Sequence, residues 1–401
     1  MNIFKRLYCR GFQTALRIVL PILPYRTPKI LNNIEELAEV FKRAGNSRAL
    51  LVVTNSSTRW AYFNRIISSL ESAGIKFSVF SEVVPDPTDK IVELGVDFYN
   101  REKCDCLIAF GGGSVIDCAK AIGARIAYPN KKLEDLKGLL KVLKRIPLLV
   151  AFPTTAGTGS ETTLAAVIKQ EEGQYKYTIN SFPLIPSYAI LDAQATTSLS
   201  PFLTATTGFD ALTHAVEAYI GRSTTKQTRE CAKQAIKLVF DNILTACENP
   251  NDLVARENML NAAFLAGVAF TKSYVGYIHA IAHSLGGKYG VAHGFANAVL
   301  LPVVLKGYGD SVYKKLHELA VYSGISKSGD CAMESAKRFI LEIEKLRERV
   351  NIPSVIEEIK EEDIKSMAVR AEKEGNPLYP VPKLFDASQL EKFYFEVMKK
   401  D

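Results

Sequence analysis

Short apolar runs alternate with amphipathic stretches through the first half of the chain. The runs have the length and β-branched character of buried strands, and the stretches between them space their apolar residues as helices do. Strands are predicted at 48–54, 76–80, 106–110, 148–152 and 188–191, with helices at 58–73 and 88–101. This alternation predicts an α/β fold, a doubly wound parallel sheet with helices on both faces.

Beyond residue 200 the pattern changes to long helical stretches. Helices are predicted at 206–219, 228–247, 253–270, 313–322 and 331–350. Proline disfavours a helix in the residue before it, so Pro201 in the segment 198–201 marks the boundary between the two halves. The sequence therefore predicts an α/β domain followed by an all-helical one.

Composition narrows the possible classes of protein. The 401 residues are 47% hydrophobic and 23% charged, which is typical of a folded globular chain. A net charge of +7, spread along the whole length, does not indicate a nucleic-acid partner. Seven scattered cysteines are typical of reduced thiols, so we expect a cytoplasmic protein. No apolar run approaches the ~20 residues of a transmembrane helix.

The first 25 residues mix apolar and basic side chains at the spacing of an amphipathic helix. A secretory signal would instead keep its charges ahead of an uninterrupted apolar stretch. Such a helix packs on the protein's own body or on another subunit, or it docks on a membrane surface or inside a larger assembly. The basic residues are Lys5, Arg6, Arg10 and Arg17.

Two loops that follow strands carry residues typical of ligand binding. Gly111, Gly112, Gly113 and Ser114 lie between a strand and a helix predicted to begin near Val115, where glycines and free amides accommodate a phosphate. The segment 151–161, AFPTTAGTGSE, follows the next strand and is rich in hydroxyl groups. Both loops fall at the carboxyl edge of a parallel sheet, where doubly wound folds bind ligands. We expect a nucleotide site there.

Four of the five histidines lie within 80 residues of one another. Asp210 and His214 are four residues apart, as are His279 and His283, so each pair lies on one face of its helix. We expect Gly286 and Gly287 to end the second helix and His293 to lie in a turn. One carboxylate and three imidazoles can hold a divalent ion such as iron(II) or zinc, with one histidine left for proton chemistry.

These motifs together resemble the iron-containing (group III) alcohol dehydrogenases. The resemblance rests on GGGSVIDCAK, PTTAGTGSE, GFDALTHAVEAY and HAIAHSLGGKYGVAHG, in this order, and extends from about Pro28 to the C-terminus. It implies a dinucleotide-binding α/β domain (28–199) and a helical metal-binding domain (200–401), with the active site between them. The amphipathic stretch ahead of both is expected to be a helical extension (1–27).

The resemblance also implies roles for individual residues. Asp210, His214, His279 and His293 match the family's metal ligands, and His283 matches a histidine near the nicotinamide that is a candidate for proton relay. The positions that match cofactor-binding residues are Gly112, Gly113, Ser114, Asp117, Thr154, Thr155, Thr158 and Lys176.

One position departs from the pattern of many NAD-dependent members. They carry an aspartate after the first strand, whose charge repels a ribose 2′-phosphate, and this chain has Asn55 there. Because that repulsion is absent and Arg59 adds a positive charge nearby, we favour NADP(H) over NAD(H). Asn55 binding the ribose hydroxyls of NAD(H) is the alternative.

The sequence thus predicts an NAD(P)-linked, metal-dependent alcohol dehydrogenase or aldehyde reductase that acts on a small alcohol or aldehyde and forms a homodimer or larger homo-oligomer. The alternatives are an enzyme of the same fold, similar to dehydroquinate synthase or glycerol dehydrogenase, and a non-enzymatic metal-binding or assembly protein. The pairing of Asp210 with His214 argues against the synthase, whose ligand pattern includes a glutamate.

Overall fold

The computed structural model describes residues 1–171 and 176–399. They form two compact units. One comprises Pro24–Ser198, and the other comprises Met1–Leu23 together with Leu199 onwards. The first is an α/β unit and the second is all-helical, so the predicted fold class is confirmed.

Nine strands are present among the described residues. They are β1 (Lys29–Leu31), β2 (Arg48–Thr54), β3 (Lys76–Val83), β4 (Cys106–Gly111), β5 (Gly138–Leu139), β6 (Leu148–Pro153), β7 (Ala165–Lys169), β8 (Lys176–Asn180) and β9 (Tyr188–Ile190).

Fourteen α-helices are described. They are α1 (Ile3–Val19), α2 (Ile34–Ala44), α3 (Ala61–Ser72), α4 (Asp89–Arg101), α5 (Gly113–Ala127), α6 (Pro201–Ile220), α7 (Lys226–Glu248), α8 (Leu253–Ser273), α9 (Tyr277–Tyr289), α10 (His293–Tyr308), α11 (Asp310–Tyr322), α12 (Ala332–Arg349), α13 (Glu361–Gly375) and α14 (Ala387–Val397).

Six strands form a parallel sheet in the order β1-β9-β6-β4-β2-β3. Successive residues of its central strands point to opposite faces. Leu50 and Leu107 pack in a core cluster with α4 and α5, whereas Leu51 and Ile108 pack in a second cluster with α2 and α3. The sheet is therefore covered on both faces, and its apolar runs are continuous because both faces are buried.

A second, three-stranded sheet has the order β5-β8-β7. Its buried residues Ala166, Ile168 and Ile179 belong to the same core cluster as α5. The small sheet thus extends the core on the α5 side of the main sheet.

The longer part of the helical unit begins at Leu199, and α6 follows directly. Ser200 caps α6, its side chain accepting a hydrogen bond from the backbone N–H of Leu203 (3.2 Å), and Pro201 occupies the first helical position. From Thr204 onwards nearly every residue of α6 is buried. This helix forms the centre of the unit and carries two of the predicted metal ligands.

Two local predictions around the histidines are wrong. Helix α9 continues through Gly286 and Gly287 to Tyr289 and ends at Gly290, whose φ of 72° is the left-handed conformation that terminates helices. His293 is the first residue of α10 instead of part of a turn. Gly286 is half-buried and Gly287 exposed, and the helix continues through both because a glycine inside a helix costs only about 1 kcal/mol.

Among the described residues, no helix has both the length and the apolar character needed to cross a membrane.

Candidate active site

The glycine loop follows β4 at the carboxyl edge of the main sheet. Gly112 is the N-cap of α5, and the helix begins at Gly113, two residues earlier than expected. The first amides of α5 therefore belong to Gly113, Ser114 and Val115. The positive end of a 15-residue helix lies at this loop, as phosphate binding requires.

The second loop lies directly beside the first because β6 pairs with β4. The N–H of Thr154 donates to the carbonyl of Gly111 (3.0 Å). A Cβ on Gly112 would lie 3.2 Å from the methyl group of Thr155, and one on Gly113 would lie 2.9 Å from that of Thr158. The two loops approach so closely that Gly113 has no room for a side chain.

A buried polar network lies between α5 and the second loop. Lys120 donates from Nζ to the hydroxyls of Ser160 (3.0 Å) and Thr163 (2.8 Å) and to the carbonyl of Ala165 (2.7 Å). Asp117 accepts from the Ser160 hydroxyl (2.6 Å) at Oδ1 and from the Val167 N–H (3.0 Å) at Oδ2. Both carboxylate oxygens of Asp117 are thus bonded within the protein.

Burial opposes every charge in this network. It raises the pKa of Asp117, it raises the pKa of Glu161 to about 7, and it lowers the pKa of Lys120 to about 8. Lys120 has three acceptors for the three hydrogens of an ammonium group, which stabilises its charged form. The network holds the second loop against α5.

The remaining predicted cofactor residues lie on other elements. Asn55 follows β2, is exposed, and accepts at its backbone carbonyl from the Thr58 hydroxyl (2.7 Å). Because β2 neighbours β4, Asn55 is at the same edge of the sheet as the glycine loop. Lys176 lies on β8 of the small sheet, and its Nζ pairs with Asp86 (2.7 Å), which follows β3.

The four predicted metal ligands come together in the helical unit. Helix α6 supplies Asp210 and His214, α9 supplies His279, and α10 supplies His293. One ligand atom from each lies within 4.8 Å of the others. Oδ1 of Asp210 is 3.8 Å from Nε2 of His279 and 3.3 Å from Nε2 of His293.

This donor set fits a divalent metal ion. Mixed carboxylate and imidazole ligation is typical of catalytic zinc and iron(II) sites. Burial, with the neighbouring imidazoles of His214, His293 and His283, holds the pKa of His279 well below its ordinary value. His279 is therefore neutral, as a metal ligand must be.

Sequence reasoning missed two residues that contact the ligands. Glu217 accepts from Nδ1 of His279 (2.6 Å) and from the backbone N–H groups of Gly276 (2.8 Å) and Ile278 (2.9 Å). Asn297, fully buried on α10, donates from Nδ2 to Oδ1 of Asp210 (2.8 Å). A signal existed for Glu217, which follows Asp210 by seven residues on the same face of α6.

His283 lies beside the metal ligands and has separate partners. Its ring stacks on that of His293 (5.1 Å between centroids), and its Nδ1 is 2.6 Å from Oε1 of Glu374. The hydroxyl of Tyr379 donates to the same oxygen of Glu374 (2.7 Å). Burial alone raises the pKa of Glu374, but the His283 charge and these two hydrogen bonds bring it below its ordinary value.

Both units match models of one known family. Residues 30–193 match the family model for iron-containing alcohol dehydrogenases, and residues 204–398 match the C-terminal model of the same family.

Three known proteins illustrate the similarity. An NAD-dependent methanol dehydrogenase of Bacillus methanolicus is 35% identical, over 84% of this chain and 89% of that protein. An NADPH-dependent butanol dehydrogenase of Clostridium saccharobutylicum is 33% identical, over 82% and 85%. The crystal structure of a 1,3-propanediol oxidoreductase superposes with a TM-score of 0.89 at 34% identity, covering 93% of this chain and 98% of that one.

Proposed function

The chain belongs to the iron-containing alcohol dehydrogenase family, and on this premise we propose that it interconverts a small alcohol and its aldehyde at a metal ion held by Asp210, His214, His279 and His293. The observation that carries the proposal is the convergence of these four side chains from three helices, with their ligand atoms within 4.8 Å. The activity of this family is metal-dependent, NAD(P)-linked alcohol dehydrogenation.

When bound, the metal supplies Lewis acidity towards the substrate oxygen, and the nicotinamide gives or takes the hydride. The protein's own residues have two tasks in this reaction. Glu217 and Asn297 hold His279 and Asp210 in place. The second task is to move the proton that the oxygen gains or loses.

We assign the transfer of that proton to His283. An imidazole titrates near neutral pH and so gives or takes a proton at physiological pH. Glu374 fixes the ring by accepting at Nδ1, so Nε2 is the nitrogen that exchanges the proton. Tyr379 in turn holds the carboxylate of Glu374.

The two adjacent loops form the proposed cofactor site. Gly112, Gly113 and Ser114 offer amides at the start of α5 to the pyrophosphate, and Thr154, Thr155 and Thr158 offer hydroxyl and backbone groups beside them. Asp117 acts on the site indirectly, by accepting a hydrogen bond from the hydroxyl of Ser160 in the second loop. Lys120 anchors the same loop by donating to that hydroxyl. Lys176, on the small sheet, is the further residue proposed to contact the cofactor.

We propose NADP(H) as the preferred cofactor. Asn55 brings no negative charge to the position where a 2′-phosphate would lie, and Arg59 is four residues further along. Among the relatives, the butanol dehydrogenase is NADPH-dependent by name and the methanol dehydrogenase is NAD-dependent. Family membership therefore leaves the choice to local residues such as Asn55.

Three further assignments complete the proposal. We take iron(II) as the ion, with zinc as the alternative, because both accept these ligands. All seven cysteines are free thiols, which supports a reducing, cytoplasmic compartment. We also propose a homodimer or larger homo-oligomer of a two-domain chain, and a small alcohol, diol or aldehyde as substrate.

The test is NADPH and NADH oxidation with a panel of aldehydes, before and after chelation and after restoring iron(II) or zinc. We expect turnover that disappears with the metal and returns with it. Asp210→Ala should abolish both metal binding and turnover. His317→Gln, a change at the one histidine outside the cluster, should preserve both. A metal-loaded protein that oxidises neither cofactor would refute the proposal.

A further inference from the structure

Helix α1 turns an apolar face to the solvent. At 100° per residue, its outward side chains cover about half of the helix circumference. Phe4 is 80% exposed and Leu7 63%. The other large apolar residues on this face are Ile3, Tyr8, Phe12, Ile18 and Val19.

The opposite face of α1 already has its partner. Cys9 and Gln13 are buried, and Nε2 of Gln13 donates to the carbonyl of Tyr379 (2.7 Å). The guanidinium of Arg10 donates to the carbonyls of Val381 (2.7 Å) and Pro382 (2.8 Å). An amphipathic helix on a globular protein normally buries its apolar face, whereas α1 docks by its polar one.

Positive charge surrounds this apolar face. The segment 1–34 contains six Lys and Arg residues and no Asp or Glu. On the helix circumference, Lys5 lies at one margin of the apolar face, where it pairs with Glu372 (2.6 Å). Arg6, Arg10 and Arg17 lie at the other margin, and of these Arg6 and Arg17 are exposed. A surface that complements this pattern offers an apolar interior and negative charge at its boundary.

The adjoining surface of the helical unit is basic as well. Burial, together with the nearby charges of Arg229, Arg222 and Arg17 and against the opposing effect of Glu318, lowers the pKa of Lys315 to about 8. Several positive charges are therefore close to one another beside the C-terminal end of α1. Such a cluster attracts an anionic surface.

We propose that α1 docks the protein on an anionic lipid surface, lying in the membrane plane with its apolar face among the acyl chains and the exposed Arg6 and Arg17 at the phosphate level. A strongly amphipathic helix with basic residues on both sides of its apolar face is typical of helices that lie at a membrane surface. The cytoplasmic leaflet carries the negative lipids that attract basic segments.

A second copy of the chain fits this face less well. In a two-fold pairing of α1 helices, the basic margins of the two copies approach each other, and α1 has no acidic residue to pair with them. A bilayer also accommodates an apolar face half a circumference wide, which exceeds the narrow seam of a helix pair.

Co-sedimentation of the full chain with vesicles tests the proposal. We expect binding to phosphatidylcholine vesicles that contain phosphatidylglycerol, at least about 10-fold weaker binding to pure phosphatidylcholine, and loss of binding at high salt. The double variant Phe4→Glu/Leu7→Glu should lose about 10-fold or more in affinity. Val254→Glu, an equally exposed apolar position (69%) on α8, should bind as the parent does.

Two results would overturn the proposal. One is equal or absent sedimentation with both kinds of vesicle. The other is a dimer, measured by light scattering, that the Phe4/Leu7 variant dissociates while vesicles bind neither protein, which would make α1 an interface between copies. Unchanged circular dichroism and thermal unfolding show that each variant is folded. Neither these measurements nor vesicle binding requires dehydrogenase turnover, so the outcome is independent of the proposed catalytic function.

Discussion

Glu217 Oε2 lies 2.6 Å from Nδ1 of His279, so a buried carboxylate fixes the ring orientation of a predicted metal ligand. The same carboxylate accepts two backbone N–H groups at the start of α9. A Cβ on Gly276 would lie 2.5 Å from Glu217 Oε1, so only glycine fits there. This carboxylate–histidine pair directs Nε2 of His279 towards Asp210 and the other ligands.

Replacing Glu217 should therefore weaken metal binding. We expect Glu217→Gln to lower metal affinity by about 10-fold to 100-fold, because residues that orient ligands have effects of that size. Competition with a chromophoric chelator measures the affinity directly. Glu318→Gln is the control, since Glu318 accepts from Tyr219 and contacts none of the four ligands. Equal affinities for both variants would argue against the orienting role.

Glu374 should matter for turnover and not for metal content. Glu374→Gln weakens the hydrogen bond to Nδ1 of His283. We expect kcat to fall by about 10-fold to 100-fold, less than the ~10²–10⁴-fold that a proton-transferring side chain itself contributes, because His283 remains in place. KM and the metal-to-protein ratio should change little. Glu372→Gln is the control on the same helix, because Glu372 pairs with Lys5. A drop in metal content equal to the drop in kcat would contradict this assignment.

Asn55→Asp should shift the cofactor preference towards NAD(H). The new carboxylate would repel a 2′-phosphate, and we expect kcat/KM for NADPH to fall by about 10-fold to 100-fold with little change for NADH. Asn64→Asp places the same charge on an exposed position of α3 in the same unit and should affect neither cofactor. An NADPH/NADH ratio unmoved by Asn55→Asp would remove the basis for proposing NADP(H).

Lys120 should be important for stability. Lys120→Met leaves Asp117 and Glu161 buried without their cation, and breaking a buried pair in this way costs ~3–5 kcal/mol. Denaturant unfolding followed by a probe in the α/β unit measures the loss. Lys90→Met, at an exposed lysine on α4, should change the midpoint little. A Lys120→Met midpoint equal to that of Lys90→Met would exclude a stabilising role for the network.

The same lysine predicts a pH dependence of stability. Its pKa of about 8 in the folded protein lies below the ordinary value of 10.5, so above pH 8 the unfolded chain holds more protons than the folded one. The contribution of Lys120 to the free energy of unfolding therefore rises between about pH 8 and 10.5. Comparing midpoints across this range, the parent should gain stability relative to Lys120→Met. A constant difference would contradict the shifted pKa.

Local sequence patterns predicted the site to the extent that its residues are close in the chain. The continuous apolar run of β2 was predicted with its exact bounds, 48–54, because a strand buried on both faces leaves an unmistakable pattern. Spacing of four residues placed Asp210 with His214 and His279 with His283. The strands β7 and β8 were missed because they are short and half-exposed.

Partners distant in sequence left no local signal. Glu374 lies 91 residues from His283 and becomes its partner only because α13 packs beside α9. The end of α9 was misplaced for a related reason. A glycine pair usually ends a helix, but here the left-handed conformation falls at Gly290, a choice that depends on the path of the chain towards α10.

Tyr379 connects the two proposed activities of the helical unit. Its carbonyl accepts from Gln13 of α1, and its hydroxyl donates to Glu374, which holds His283. Tyr379 thus lies between the helix proposed to dock on lipid and the carboxylate that contacts His283, and any movement of Tyr379 on docking would link the two equilibria. Linkage is reciprocal: by whatever factor a lipid surface changes the affinity for cofactor or substrate, that ligand changes the affinity for lipid by the same factor.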